Sequence, residues 1–244
     1  MAKHSHWHNI KHKKAANDKK RAAVVAKMGK LITVAVGAGG PNPSDNPRLR
    51  LAVEKARSAG MAVETIDRAI KKASGQLAEG KSMVELTYEG YAPGGIALVV
   101  DCLTDNRTRT APEIKKIFER AGGSVGTPGC VAWQFKTRCT FLVTAPGEDP
   151  VMECLLGADL GVDDISAVGD GQVAISGDPA LYDAIAKALA GAKIPVAESG
   201  FAKIPENTVA MDAAAAEALQ GLLDALDEHD DVQDVYHNGE WPEG

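Results

Sequence analysis

CTFLVTAPGEDPVMECLLGADLGVDDISAVGDGQVAISGDPALYDAIAKALAGAKIPVAESGFAKI, residues 139–204, sets the fold class. Its runs CTFLVTA (139–145), DISAVG (164–169), QVAISG (172–177) and VAESGFAKI (196–204) read as strands, bounded by Gly, Pro and Asp turns. DPVMECLLGAD (149–159) and PALYDAIAKALAG (179–191) carry apolar residues at helical spacing. The resulting order, βαββαβ, is what a ferredoxin-like unit needs.

Outward from that unit the pattern repeats less completely. Upstream, MVELTYEGY (83–91) and GIALVVDCL (95–103) are strands joined by a turn at Pro93, Gly94 and Gly95. TAPEIKKIFERAGG (110–123) is a helix ending at Gly122 and Gly123, and CVAWQFK (130–136) is a strand. Downstream, NTVAM (207–211), DAAAAEALQGLLDALDEH (212–229) and DVQDVYHN (231–238) give strand, helix and strand. This last unit completes the sheet begun at Met83 if residues 138–204 are an insertion. Before Met83 the sequence turns helical. A helix is expected from Ala15 to Val36, burying Val24, Val25, Met28, Leu31, Ile32 and Ala35, and the GAGGPNPSDNP stretch breaks it. Asn46 caps a second helix, with Pro47 at its first position and Gly60 after its end near Ala59. A third runs from Val63 to Ser74, with Ile66, Ala69 and Ile70 inward and Gly75 as its stop. The expected fold is α+β: a three-helix domain (1–80), a central domain (81–137 plus 205–244) and an inserted ferredoxin-like domain (138–204).

Charge is divided as sharply as structure. The net charge is −6, yet residues 1–80 carry +10, residues 81–138 carry +2 and residues 139–244 carry −18. Surfaces ordinarily intersperse their signs, so a basic module facing a polyanion is the simplest cause. The acidic half is then expected to be held off nucleic acid by repulsion, or to face a basic protein. No apolar run reaches the ~20 residues of a membrane span. The opening MAKHSHWHNIKHKK leads into no apolar signal segment. Cys102, Cys130, Cys139 and Cys154 form no paired motif and read as small buried residues of a cytoplasmic protein.

Polar chemistry concentrates in the arm and first helix. Lys3, Lys11, Lys13, Lys14, Lys19, Lys20 and Arg21 give a density suited to a phosphate backbone, and His4 and Trp7 add rings that stack on a base. His4, His6, His8 and His12 lack the acidic or Cys partners of a metal centre, so no metal or other cofactor is assigned. GQLAEGKS (75–82) matches the phosphate-binding pattern G-x-x-x-x-G-K-[ST] letter for letter. That pattern needs a strand before it and a helix after it, and here the order is reversed, so a P-loop hydrolase is the disfavoured alternative. DNRTRT (105–110) has two readings. Either Thr110 caps the next helix and the arginines pair with nearby acids, or Arg107 and Arg109 make a second phosphate contact.

Several of these motifs occur together in one known family. HSHWHNIKHKK (4–14), DKKR (18–21), NPRLR (46–50), YEGYAPGG (88–95), DNRTRT (105–110) and the ending DALDEHDDVQDVYHN (224–238) resemble, in this order, the YebC family. The likeness spans essentially the whole chain, with His6 standing where a Lys is usual. The resemblance implies a helical domain and two α+β domains, one inserted in the other, in a cytoplasmic protein. Bacterial members are described as DNA-binding transcriptional regulators. A mitochondrial relative acts in translation, and some bacterial members are tied to ribosomes stalled at proline-rich sequence. The expectation is a monomeric, non-enzymatic regulator that binds DNA or ribosomal RNA through the arm residues, Arg48, Arg50, Arg107 and Arg109, with no membrane contact.

Overall fold

The first helix does not stop where its glycines begin. In the computed structural model, which describes residues 21–78 and 83–242, α1 (Arg21–Gly39) runs through Gly37 and ends only at Gly40, whose φ is +83°. Asn46 fixes the turn that follows. Its Oδ1 accepts from the Leu49 N–H at 3.0 Å, capping α2 (Pro47–Ser58), and its Nδ2 donates to the Ala35 and Gly40 carbonyls at 2.7 and 2.8 Å. One buried amide thus satisfies the end of one helix and the start of the next. Gly39 is required by the same contact, since a Cβ there would come within 2.8 Å of the Asn46 side chain. The third helix, α3 (Val63–Ala78), continues through Gly75, which therefore fails as a stop. An interior glycine costs about 1 kcal/mol relative to alanine but does not by itself turn the chain. The three helices close on Ile32, Ala35, Leu49, Ala56, Ile66 and Ala73.

The first sheet begins with the hairpin β1 (Val84–Ala92) and β2 (Ile96–Thr104), in register Ala92↔Ile96 to Val84↔Thr104. After it come α4 (Arg107–Arg120) and the two-residue strand β3 (Ser124–Val125). The second sheet holds β4 (Phe135–Thr144), β5 (Asp164–Gly169), β6 (Gln172–Gly177) and β7 (Val196–Pro205), with α5 (Asp149–Gly157) and α6 (Tyr182–Gly191) as crossovers. After β8 (Val209–Ala210) and α7 (Ala213–Asp227) the chain rejoins the first sheet with β9 (Val232–His237), so of the expected final strand–helix–strand unit only the last strand completes that sheet; β8 instead pairs in parallel with β10 (Gly239–Glu240) as a separate two-stranded sheet. The second sheet has the order β5-β6-β4-β7, all antiparallel, which is the ferredoxin-like arrangement. The first, β3-β1-β2-β9, has the same spatial plan, but its second place, held by β6 in the other sheet, is filled by β1, which precedes β2 in the chain.

GIALVVDCL is apolar but for Asp101 because β2 is covered on both faces. Ile96, Leu98, Val100 and Cys102 lie under α4 and α7 against Ile114, Phe118 and Leu222. Ala97 and Val99 face Val131, Phe135, Ala202, Ile204 and Tyr236, which joins the two sheets.

Two further expectations need correction. Residues 130–134 are not a strand of the first sheet: Ala132–Gln134 form a 3-10 turn, and β4 runs unbroken from Phe135 within the second sheet. The physical cause is Glu89. Its carboxylate accepts from the backbone N–H groups of Gly129, Val131 and Ala132 at 2.7, 2.9 and 2.8 Å, so these donors need no ladder partner. The helix expected from residue 110 begins a turn earlier, capped by Asn106, whose Oδ1 accepts from the Arg109 N–H at 3.1 Å. Thr110 is inside the helix and fully buried.

Candidate nucleic-acid interface

Of the residues expected to touch nucleic acid, Lys3, His4, Trp7, Lys11, Lys13, Lys14, Lys19 and Lys20 lie outside the described residues. Arg21 is described only through its backbone, as the first residue of α1. Arg48 pairs with Glu85 of β1. Arg50 is exposed on α2, and Arg107 is exposed in the first turn of α4 without an ion pair to another described residue. Arg109 behaves differently. Its Nη2 lies 2.9 Å from Asp231 and 3.2 Å from Asp105, so for this arginine the structure supplies the acid partners of the structural alternative.

Asp231 is the centre of that cluster. Its side chain is 2% exposed and takes Lys30 Nζ of α1 at 2.5 Å on one oxygen. The other oxygen accepts from Arg109 at 2.9 Å and from the Thr110 hydroxyl at 2.8 Å. Burial alone would push this carboxyl up, but the hydrogen bonds from Lys30, Arg109 and Thr110 outweigh it and hold it well below the usual carboxylate range. Glu113, His229 and Asp231 bring ligand atoms within 4.8 Å of one another, yet Asp231 is already occupied by two cations. A dication would have to displace them, and the cluster is read as structural.

Further pairs extend the contact between the helical module and the chain's end. Lys27, 8% exposed, donates to the Asp227 carbonyl at 2.6 Å and lies 3.3 Å from its carboxylate. Lys30 also reaches the Asp230 carbonyl at 2.9 Å, and Lys55 of α2 pairs with Asp234 of β9 at 3.0 Å. The Asp234 charge beside it raises the Lys55 ammonium above its ordinary value, against the effect of burial. This corrects the expectation for the acidic half. Part of it faces the basic helices of its own chain, so some of the charge segregation is an internal docking surface. No spacing in the sequence signals this, because the partners are about 200 residues apart.

Cations remain after that docking. Arg50, Arg57, Lys71, Lys72 and Arg107 are exposed and form no ion pair with another described residue. Two of them stand on a cleft between α2 and the second sheet, about 540 Å³ in volume and lined by Arg50, Arg57, Tyr182 and Phe201 among others. A second exposed feature escaped the sequence. The turn held by Glu89 presents Trp133, 70% exposed, with its Nε1 donating to the Cys130 carbonyl at 3.2 Å. The Tyr91 hydroxyl donates to the same carbonyl at 3.3 Å. The P-loop pattern finds no support in this geometry. Gly75–Ala78 form the last turn of α3, and β1 follows, so the pattern follows a helix where a phosphate cradle precedes one.

Comparison with known proteins agrees with this architecture. The family model described as "TACO1/YebC protein N-terminal domain" matches residues 5–76, and "TACO1/YebC second and third domain" matches residues 83–239. A probable transcriptional regulatory protein of Aromatoleum aromaticum is 46% identical over 97% of both chains. Another, from Thiobacillus denitrificans, is 45% identical over 100% of both. Both names are those of regulators and not of enzymes. The crystal structure of a conserved hypothetical protein from Aquifex aeolicus superposes with a TM-score of 0.83 at 38% identity, covering 93% of each chain. No helix among the described residues is long and apolar enough to cross a membrane. With both family models matched in order along nearly its whole length, the chain belongs to the TACO1/YebC family.

Proposed function

We propose that this protein is a nucleic-acid-binding regulator of gene expression whose helical module makes the main phosphate contact. The observation that carries the reading is the set of exposed cations that form no ion pair with another described residue once the module has docked, Arg50, Arg57, Lys71 and Lys72, on the same +10 segment as the Lys-rich arm. The regulatory names of the relatives support it. Replacing Lys13, Lys14, Lys20 and Arg21 with Ala tests it. Affinity should fall similarly across sequences, and the slope of log Kd against log salt should flatten by about 0.7–0.9 for each phosphate no longer neutralised. A folded variant with unchanged affinity and slope would move the interface elsewhere.

A second reading, ribosomal RNA as the target in place of duplex DNA, is favoured by Trp133 and Phe201, 70% and 43% exposed. Exposed rings on a rigid frame stack on unpaired bases, which irregular RNA offers and duplex DNA does not. Sedimentation of the protein from lysate with ribosomes or with chromosomal DNA, at two salt concentrations, decides between them.

A further inference from the structure

The cleft between α2 and the second sheet combines three kinds of wall. On the helix side stand Arg50 and Arg57, two turns apart on one face and unpaired with any described carboxylate. On the sheet side stands a ladder of rings. Phe141 and Tyr182 stack with centroids 4.9 Å apart, and Tyr182 and Phe201 follow at 5.1 Å. The innermost ring, Phe141, is 1% exposed, whereas Phe201 lines the cleft and is 43% exposed. The ladder therefore ends on a ring with an open side. The Tyr182 hydroxyl and the Ser199 Oγ are 2.8 Å apart, which fixes the ring beneath Phe201. Finally Glu54, Asp183 and Glu198 line the same cleft.

These three carboxylates repel a bare polyphosphate, and the arginines disfavour a cationic ligand. A molecule that carries an anion, a flat ring and several N–H donors satisfies all three walls at once. A nucleotide whose base bears amino and imino groups has that composition, and the volume of about 540 Å³ is in the range of small-ligand sites. We infer that the cleft takes one unpaired nucleotide of a single-stranded nucleic acid. Its flanking phosphates lie on Arg50 and Arg57, its base extends the ring ladder on Phe201, and its N–H edge meets the carboxylates. Guanine, with both an imino and an amino N–H, suits that edge better than uracil. A duplex is excluded, because a base that is stacked and paired cannot offer its face and its edge together. This assignment rests on the nucleic-acid reading above and adds the location, the strand state and the base chemistry.

The test is fluorescence anisotropy of the full chain with a labelled ten-nucleotide RNA, uridines with one central guanosine, beside all-uridine and duplex controls. Phe201→Ala should raise Kd for the guanosine strand at least about 5-fold, given what one base–aromatic stack contributes. Phe201→Trp should restore binding, with the new indole quenched on saturation. Arg50→Gln with Arg57→Gln, on an exposed helix face, should weaken binding and flatten its salt dependence even if the Phe201→Ala variant proves unstable. GMP at millimolar concentration should compete poorly; equal affinity of GMP and the RNA would refute a polymer site. If the wild type binds RNA and the cleft variants bind equally well while the arm variant does not, the cleft assignment falls and the nucleic-acid reading stands. If the wild type binds neither single strands nor duplexes at low salt, both fall.

Discussion

Replacing Asp231 with Asn removes one charge from a site that joins three segments, and the structure sets the size of the effect. The carboxylate is 2% exposed and accepts three hydrogen bonds, two of them from cations. Breaking a fully buried ion pair costs about 3–5 kcal/mol, because the orphaned charge stays dry. Here the orphaned groups are wetter: Lys30 is 24% exposed and Arg109 is 45% exposed, so both recover water. Asn also keeps one acceptor oxygen, while its amide group opposes the donors on the other side. These considerations place the loss at about 2–3 kcal/mol, which in a chain of this size lowers Tm by roughly 4–12 °C. The sign of the pH dependence follows from the depressed native pKa. A carboxyl held below its unfolded value of about 3.9 contributes fully above that pH and loses its contribution as pH falls through the native value. The gap in Tm between wild type and Asp231→Asn should thus be constant from pH 8 to 5 and narrow below about pH 4. Thermal melts followed by circular dichroism at several pH values measure it. A change under 1 °C at neutral pH, or a gap that does not narrow in acid, would refute the clamp.

Glu89→Gln should loosen the turn around Trp133, since an amide nitrogen would face backbone N–H groups that the carboxylate now accepts. Burial and the Glu89 charge both push the Cys130 thiol up, so this variant should alkylate Cys130 several-fold faster at pH 8, and an unchanged rate counts against the argument. The two arginines of DNRTRT should separate. Arg109→Lys weakens the hold on Asp231 and should lower Tm while leaving nucleic-acid binding per folded molecule intact, whereas Arg107→Ala should weaken binding at constant Tm. Unchanged binding by Arg107→Ala would take this loop out of the interface.

The α+β class, most of the order of helices and strands and the Asn46 cap were legible in the sequence, whereas the cap at Asn106, the run of α3 through Gly75 and the turn at 132–134 were not. Periodicity, Gly–Pro punctuation and an Asn–Pro pair act over a few residues, and a few residues are all that a strand, a turn or an N-cap needs. The sequence determined, too, that the basic residues are gathered at one end and the acidic ones at the other. Tertiary structure decided what that separation is for. Lys27, Lys30 and Lys55 meet Asp227, Asp231 and Asp234 only after the last helix and strand have folded back beside the first two helices, across about 180 to 200 residues of chain. It also decided that residues 130–134 turn instead of extending, because Glu89, some 40 residues earlier, takes up their N–H groups. A local pattern records what a residue prefers, and a carboxylate arriving from elsewhere in the chain can override that preference by satisfying buried donors that would otherwise require a strand partner. The cleft has the same origin: the sequence singles out Arg50 but gives no sign of Phe201, and both line one cleft only because two independently closed cores pack with α2 against β7.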